Sequence, residues 1–189
     1  MSTSAERVLR DGSTVRLRDV PYDDPVAQVL VQEVQAEYVQ RYGGPDGAVV
    51  DPAEFLPPEG LFLVAEVDGV PAGCGAWRVH RPGGVEIKRV YVAPGHRRRG
   101  LAQVLMSELE SSAERAGHRW VVLNTGDRQP EALALYGALG YVPVPGYGIY
   151  ADAPGAVFLG KALPPSACRN RGSLDDELDD EEEAQSWAS

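Results

Sequence analysis

The chain is 189 residues long, 43% apolar and 24% charged, with a formal net charge of −10. Such a length can bury one sizeable core. Two cysteines (Cys74 and Cys168), three scattered histidines (His80, His96 and His118) and no long apolar run argue against a disulfide framework, a metal centre and a membrane span. The acidity is uneven, because residues 165–189 hold eight acids against Arg169 and Arg171, which leaves residues 1–164 at −4. Three parts follow from this: an N-terminal extension over 1–12, a folded domain over 13–164 and a disordered acidic tail over 165–189. Met1 to Asp11 lacks the apolar stretch of a signal peptide, so a cytoplasmic location is expected. Neither nucleic acid nor membrane is expected as a partner, and a homodimer is left open.

In chain order, Thr14–Arg18 alternates as a first strand. Asp23 or Asp24 can cap a helix with Pro25 in its first turn, and Val26, Leu30, Val34 and Tyr38 line one face until Gly43-Gly44-Pro45 ends it. Residues 45–60, rich in Pro, Gly and Asp, read as a loop with one helical turn around Asp51–Phe55. Leu61–Val67 and Ala72–Val79 are strands joined by Asp68-Gly69, a strong hairpin signal. A third strand, 85–92, follows Arg81-Pro82-Gly83-Gly84. Leu101, Leu105, Leu109 and Ala113, with Ala102, Met106 and Ala116 beside them, mark a helix over 100–116. A strand at 119–125, a helix at 130–139 closed by Gly140, and short strands near 141–144 and 156–162 complete the chain. Antiparallel strands followed by alternating helix and strand give a mixed α/β sheet.

The segment from Val85 to Ala102 carries the chemistry. A strand runs into a turn with Arg97, Arg98 and Arg99, then Gly100 opens a helix. The first N–H groups of a helix have no intrahelical partner and sit at the positive end of its dipole, so an anion is stabilised there. Gly100 lets that anion approach the backbone, Ala102 keeps the first turn slim, and arginines clamp phosphate oxygens. The Gly-Lys-Ser/Thr of a nucleotide-triphosphate loop and the G-x-G-x-x-G of a dinucleotide fold are both missing here.

The string Arg97-x-x-Gly100-x-Ala102 resembles the Q/R-x-x-G-x-G/A pyrophosphate signature of the GNAT superfamily of N-acetyltransferases. Its neighbours resemble that superfamily in the same order: Glu86–Val92 upstream, the strand Trp120–Gly126 downstream, then Gln129–Tyr141 with its Leu135-Tyr136 pair. The likeness covers residues 14–163 and is strongest over 85–143. It implies a single domain of mixed α/β (α+β) class, with a largely antiparallel central sheet flanked by helices. It also implies acetyl-CoA as co-substrate, no metal, and transfer to an amine.

Carried over by position, the resemblance assigns the CoA phosphates to Arg97, Arg98, Arg99, Gly100, Leu101 and Ala102. It assigns the pantetheine amides to the backbone of Val90, Tyr91 and Val92, with a free N–H at Val90 or Val92 polarising the thioester. Glu86 takes the place of the general base, although on a strand it shares a face with Lys88 and forms an ion pair equally well. Tyr136 takes the place of the acid for the thiolate and also contacts CoA; a plain core tyrosine is the alternative. The chain departs from the pattern twice. Gln129 stands where many relatives have Asn, and Arg98 where many have Gly, which requires ordinary dihedrals at residue 98. The acceptor walls fall to the first helix, the 45–60 loop and Pro143–Gly155, where Asp46, Asp51, Glu54, Tyr147 and Tyr150 would suit a cationic amine. Three readings remain: a small-amine acetyltransferase, a protein or peptide acetyltransferase, and a CoA-binding module without catalysis.

Overall fold

The computed structural model describes residues 6–81 and 83–164. The expected tail and Cys168 lie outside the described residues. The first helix, α1 (Pro25–Tyr42), begins where the Asp24 carboxylate accepts the Val26 and Ala27 N–H groups at 2.8 and 3.3 Å. It ends at Gly43, whose φ of 82° lets its N–H close on the Val39 carbonyl. Two further helices, α2 (Leu101–Arg115) and α3 (Pro130–Ala138), lie within the expected spans.

The described residues form one sheet of eight strands: β1 (Glu6–Val8), β2 (Thr14–Asp19), β3 (Gly60–Val67), β4 (Val70–Arg81), β5 (Gly84–Val92), β6 (Trp120–Gly126), β7 (Val142–Pro143) and β8 (Ala156–Ala162). Their order is β1-β2-β3-β4-β5-β6-β8-β7, and only the β5–β6 pair is parallel. The fold is therefore a single mixed α/β unit with a mostly antiparallel sheet between helices. β1 falls in the stretch expected as an extension. Three residues with Arg7 at their centre carry no alternation, yet Glu6↔Arg16 and Val8↔Thr14 add it to the sheet edge.

One face of the sheet receives α2, whose Leu101, Leu105, Met106, Leu109 and Ala113 are all at most 1% exposed, as their spacing predicts. The other face receives α1, where Leu30, Val31 and Val34 pack with Phe55, Phe62, Val64 and Cys74. A buried serine in α2 satisfies a neighbouring indole. Ser112 Oγ accepts the Trp77 indole N–H at 2.7 Å and donates to the Leu109 carbonyl at 2.8 Å. Ser112→Ala leaves that indole N–H buried and unpartnered, so denaturant unfolding should show a loss of about 1–3 kcal/mol. A variant as stable as the parent would contradict the assignment.

Two irregularities in β5 create the functional geometry. The pairs Cys74↔Tyr91 and Ala76↔Lys88 leave Arg89 and Val90 together opposite Gly75, a β-bulge. Arg89 takes φ 59° there. The extra residue resets the alternation, so Val90 and Val92 pack with the α2 face and Tyr91 with the α1 face. In addition, the β5–β6 ladder ends at Ile87↔Leu123. Beyond it, β5 stays with β4 and β6 stays with β8, so the two central strands part.

Candidate active site

A cavity of about 680 Å³ fills the gap between the parted strands. Ile87 to Val92 of β5 line one side, and Asn124 and Thr125 of β6 with Ala132, Leu135 and Tyr136 of α3 line the other. At one end lie Arg97, Arg98, Gly100, Leu101 and Ala102; at the other, Tyr38 and Asp46.

The cradle end is built as a helix start. Gly100 caps α2 with φ 93°, a conformation that strains any residue bearing a Cβ. The first turn closes from the Val104 N–H to the Gly100 carbonyl at 3.1 Å, so the N–H groups of 101–103 have no intrahelical acceptor. Arg98 takes φ 63°, not the ordinary dihedrals its residue type suggested, and carries its exposed guanidinium at the cavity edge. Arg97 folds back: its Nε donates to the Val92 carbonyl at 2.9 Å, its Nη2 to Glu37 at 2.8 Å, and its guanidinium lies 5.8 Å from the Tyr91 ring centre. Arg99 turns away from the lining, toward Asp11, the Ser13 hydroxyl at 3.0 Å and His96 at 3.1 Å. In its place stands Arg10, beside Gly100 and bonded to Gln103 at 3.1 Å. No signal in the sequence ties Arg10 to residues ninety positions away.

The two candidate catalytic side chains stand apart. Tyr136 is 7% exposed and lines the cavity, and burial pushes its phenol above the ordinary value, so it stays a proton donor. Glu86 is 3% exposed and lies just outside the lining. Its Oε2 accepts Arg78 Nε and Nη2 at 3.0 and 2.9 Å, and its Oε1 accepts Lys88 Nζ at 3.3 Å. The same-face pair with Lys88 is present, and the stronger partner, Arg78, comes from the next strand. Gln129 lines the cavity, with its amide donating to the Tyr42 hydroxyl at 3.0 Å.

The Tyr38–Asp46 end adjoins a second cavity of about 250 Å³ that shares Tyr38, Asp46, Asn124, Thr125 and Gln129. Its remaining walls are Tyr42 at the end of α1, Gly44 and Pro45 after it, Gly126 of β6, and Tyr150, Ala153, Pro154, Gly155 and Ala156 leading into β8. The three acids expected to meet a cationic amine, Asp46, Asp51 and Glu54, are already engaged. Asp51 caps the Ala53 N–H at 2.9 Å, and Glu54 pairs with Arg78 at 2.6 Å. Asp46 Oδ2 accepts Arg89 Nη1 at 2.8 Å, while Oδ1 accepts the Tyr150 hydroxyl at 2.7 Å and the Ala48 N–H at 3.0 Å. Burial acts to raise the Asp46 pKa, yet the Ala48 and Tyr150 hydrogen bonds and the Arg89 charge outweigh it and hold the carboxyl below its usual range. Asp46 is thus a pinned anion, not a free counter-ion for an ammonium group. Cys74, fully buried with its thiol pushed up to about 12 by burial, is no nucleophile.

The match to known proteins agrees with this geometry. Residues 27–141 fit the model of the Acetyltransferase (GNAT) family. The chain is 31% identical over 147 residues to an IAA acetyltransferase from Azospirillum brasilense, covering 77% of this chain and 95% of that one. It is 29% identical to a streptothricin acetyltransferase from Streptomyces lavendulae, over 69% of this chain and 64% of the other. A crystal structure assigned as an acyl-CoA N-acyltransferase from Klebsiella pneumoniae superposes with a TM-score of 0.68 at 28% identity, covering 79% and 98% of the two chains. A strand that parts from its neighbour, a helix start that leaves its N–H groups free and a matching family model agree on one conclusion: this chain belongs to the GNAT family of acetyltransferases and is an N-acyltransferase.

Proposed function

We propose that the chain transfers an acetyl group from acetyl-CoA to the primary amine of a small molecule by direct attack on the thioester. The observation that carries this reading is the continuity of the two cavities through Tyr38, Asp46, Asn124, Thr125 and Gln129. The residues present suit acetyl-CoA. The phosphates meet the N–H groups of 101–103 with Arg98, Arg10 and a released Arg97, and the pantetheine arm lies along Val90 to Val92. Acetyl-CoA supplies the activated thioester. The neutral amine nitrogen attacks the thioester carbon; the C–N bond forms, the C–S bond breaks, and the thiolate takes a proton from Tyr136. A backbone N–H of Val90 or Val92 holds the carbonyl oxygen as it gains charge. The proton that leaves the ammonium before attack passes to Glu86 through water, and the proton lost from nitrogen as the amide forms returns to Tyr136. The proposal takes the chain as cytoplasmic; among the described residues no helix is long and apolar enough to cross a membrane.

Arg78 and Lys88 already occupy the Glu86 oxygens, so its share of the rate should be greatest where the amine is mostly protonated. In Glu86→Gln, turnover should fall at neutral pH and recover as the pH rises toward that of the amine. A flat ratio to the parent across pH would assign Glu86 to structure alone.

One observation favours a peptide amine instead: Val49 and Ile149, 91% and 71% exposed, ride on the two segments that the Tyr150 hydroxyl joins at Asp46 and Gly47. The deciding experiment is thiol release from acetyl-CoA against a library of small amines and peptides. Turnover with small amines is expected. Turnover confined to peptides would replace the acceptor class, and none with any amine would remove the transferase reading.

A further inference from the structure

Arg89 is the most unusual residue of the cavity. It is a charged side chain only 3% exposed, carried on a bulge with φ 59° in the middle of the central sheet. Non-glycine residues in that conformation are costly, and such strain concentrates at functional sites. A guanidinium has five N–H donors. Nη1 of Arg89 meets Asp46 at 2.8 Å, whereas its Nε is buried with no hydrogen-bond partner. Asp46 is held in turn by the Tyr150 hydroxyl and the Ala48 N–H, so its carboxylate is fixed on the Nη1 side.

The charges around it point the same way. Arg89 and Lys88 both line the cavity beside the acceptor end, and the carboxylates among its described lining residues, apart from Asp46, are Glu37 and Glu131. Glu37 is held by Arg41 at 2.6 Å and Arg97 at 2.8 Å, and Glu131 is paired with Arg41. A polycationic amine therefore finds no free counter-ion among them, and an anion finds a buried guanidinium with an unanswered edge.

We propose that Arg89 selects acceptors that carry a carboxylate close to the amine that is acetylated, so that amino-acid-like molecules are the substrate class. This rests on the transferase reading above and narrows it. A carboxylate docks on the Nε side of the guanidinium once the side chain turns that closed-off edge toward the cavity, in the fork geometry that lysine cannot reproduce, while Asp46 holds the Nη1 side. The amine is then carried toward the parted strands with two points of the acceptor fixed, which orients its nitrogen on the thioester carbon. The bulge is the device that brings this about. A regular strand would send residue 89 to the α2 face with Ile87, away from Asp46.

The test uses the full chain, acetyl-CoA and a panel of L-amino acids, each with its carboxamide and its decarboxylated amine. The carboxylate member of each active set should exceed both neutral partners in kcat/KM by at least about a hundredfold, since a site built to bind a polar group rejects the analogue lacking it. In Arg89→Gln that ratio should collapse to within about threefold, through the KM of the acceptor, as expected when a contact made by bound substrate is removed. Arg89→Lys should recover only part of it. Decarboxylated amines that react as well as the acids would overturn the inference and leave the acetyltransferase standing, and so would a ratio that survives in folded Arg89→Gln. Should the variants fail to fold, the panel on the parent chain decides alone. No turnover with any member would overturn the inference, and with peptides and other amines also inert, the proposed function falls with it.

Discussion

Removing the Tyr136 hydroxyl should slow turnover about a hundredfold while acetyl-CoA affinity stays within a small factor of the parent, the lower end of the range for a lost general acid. Tyr136→Phe keeps the ring that packs against Tyr141 at 5.7 Å, so the α3 end of the core is preserved. The size of the effect follows from two opposed shifts. Burial raises the phenol above its ordinary value, which makes it a weaker acid than an exposed tyrosine. The same burial strips water from the departing thiolate and raises its demand for a proton. A thiol is still a better leaving group than most, which keeps the effect near the low end. Rapid-mix measurement of thiol release separates the chemical step from product release. Parent-like rates in the variant would assign Tyr136 to the core, and catalysis would then rest on positioning and backbone polarisation.

The second large effect is expected at Gly100. A valine there meets two obstacles. Its Cβ must adopt φ 93°, which costs an L-residue about 1–2 kcal/mol and more when the side chain is β-branched. On the proposed binding mode, its side chain also crowds the approach of phosphate to the helix start. Calorimetry should show acetyl-CoA binding weakened at least tenfold, equivalent to about 1.4 kcal/mol. An Arg98→Gly variant is the control for geometry: it removes the strain at φ 63° and one guanidinium together, so stability should hold while affinity falls modestly. Unchanged affinity in a folded Gly100→Val chain would place the phosphates elsewhere.

Local signals made most of the fold legible. Asp24, Pro25 and Gly43 bracket α1, the Asp68-Gly69 pair turns β3 into β4 with both residues at positive φ, and the four-residue recurrence from Leu101 to Ala113 sets the buried face of α2. Each of these is decided within a few residues, which is why sequence spacing reveals it. The unread parts depend on distant partners. β1 exists because Glu6 and Val8 find the edge of β2, not because three residues favour a strand. The partners of Asp46 and Glu54 are Arg89 and Arg78, 43 and 24 positions away, so both acids looked free when they are paired. Arg10 and Arg99 exchange places at the cradle for the same reason.

The bulge at Arg89 did leave a trace. A charged residue stands where strict alternation from Ile87 demands an apolar one, and such a local conflict marks either a strained or a functional position. Reading it as an inserted residue restores the pattern for Val90, Tyr91 and Val92. Glu86 was legible as one of two things, base or ion-pair partner, and the sequence could name Lys88 but not Arg78.

Direct transfer within one continuous cavity is the central claim, and initial rates over a grid of acetyl-CoA and acceptor concentrations test it most directly. With both substrates bound together and Cys74 buried as an un-ionised thiol, double-reciprocal plots should intersect. Parallel lines, with an acetylated enzyme accumulating on acetyl-CoA alone, would contradict direct transfer.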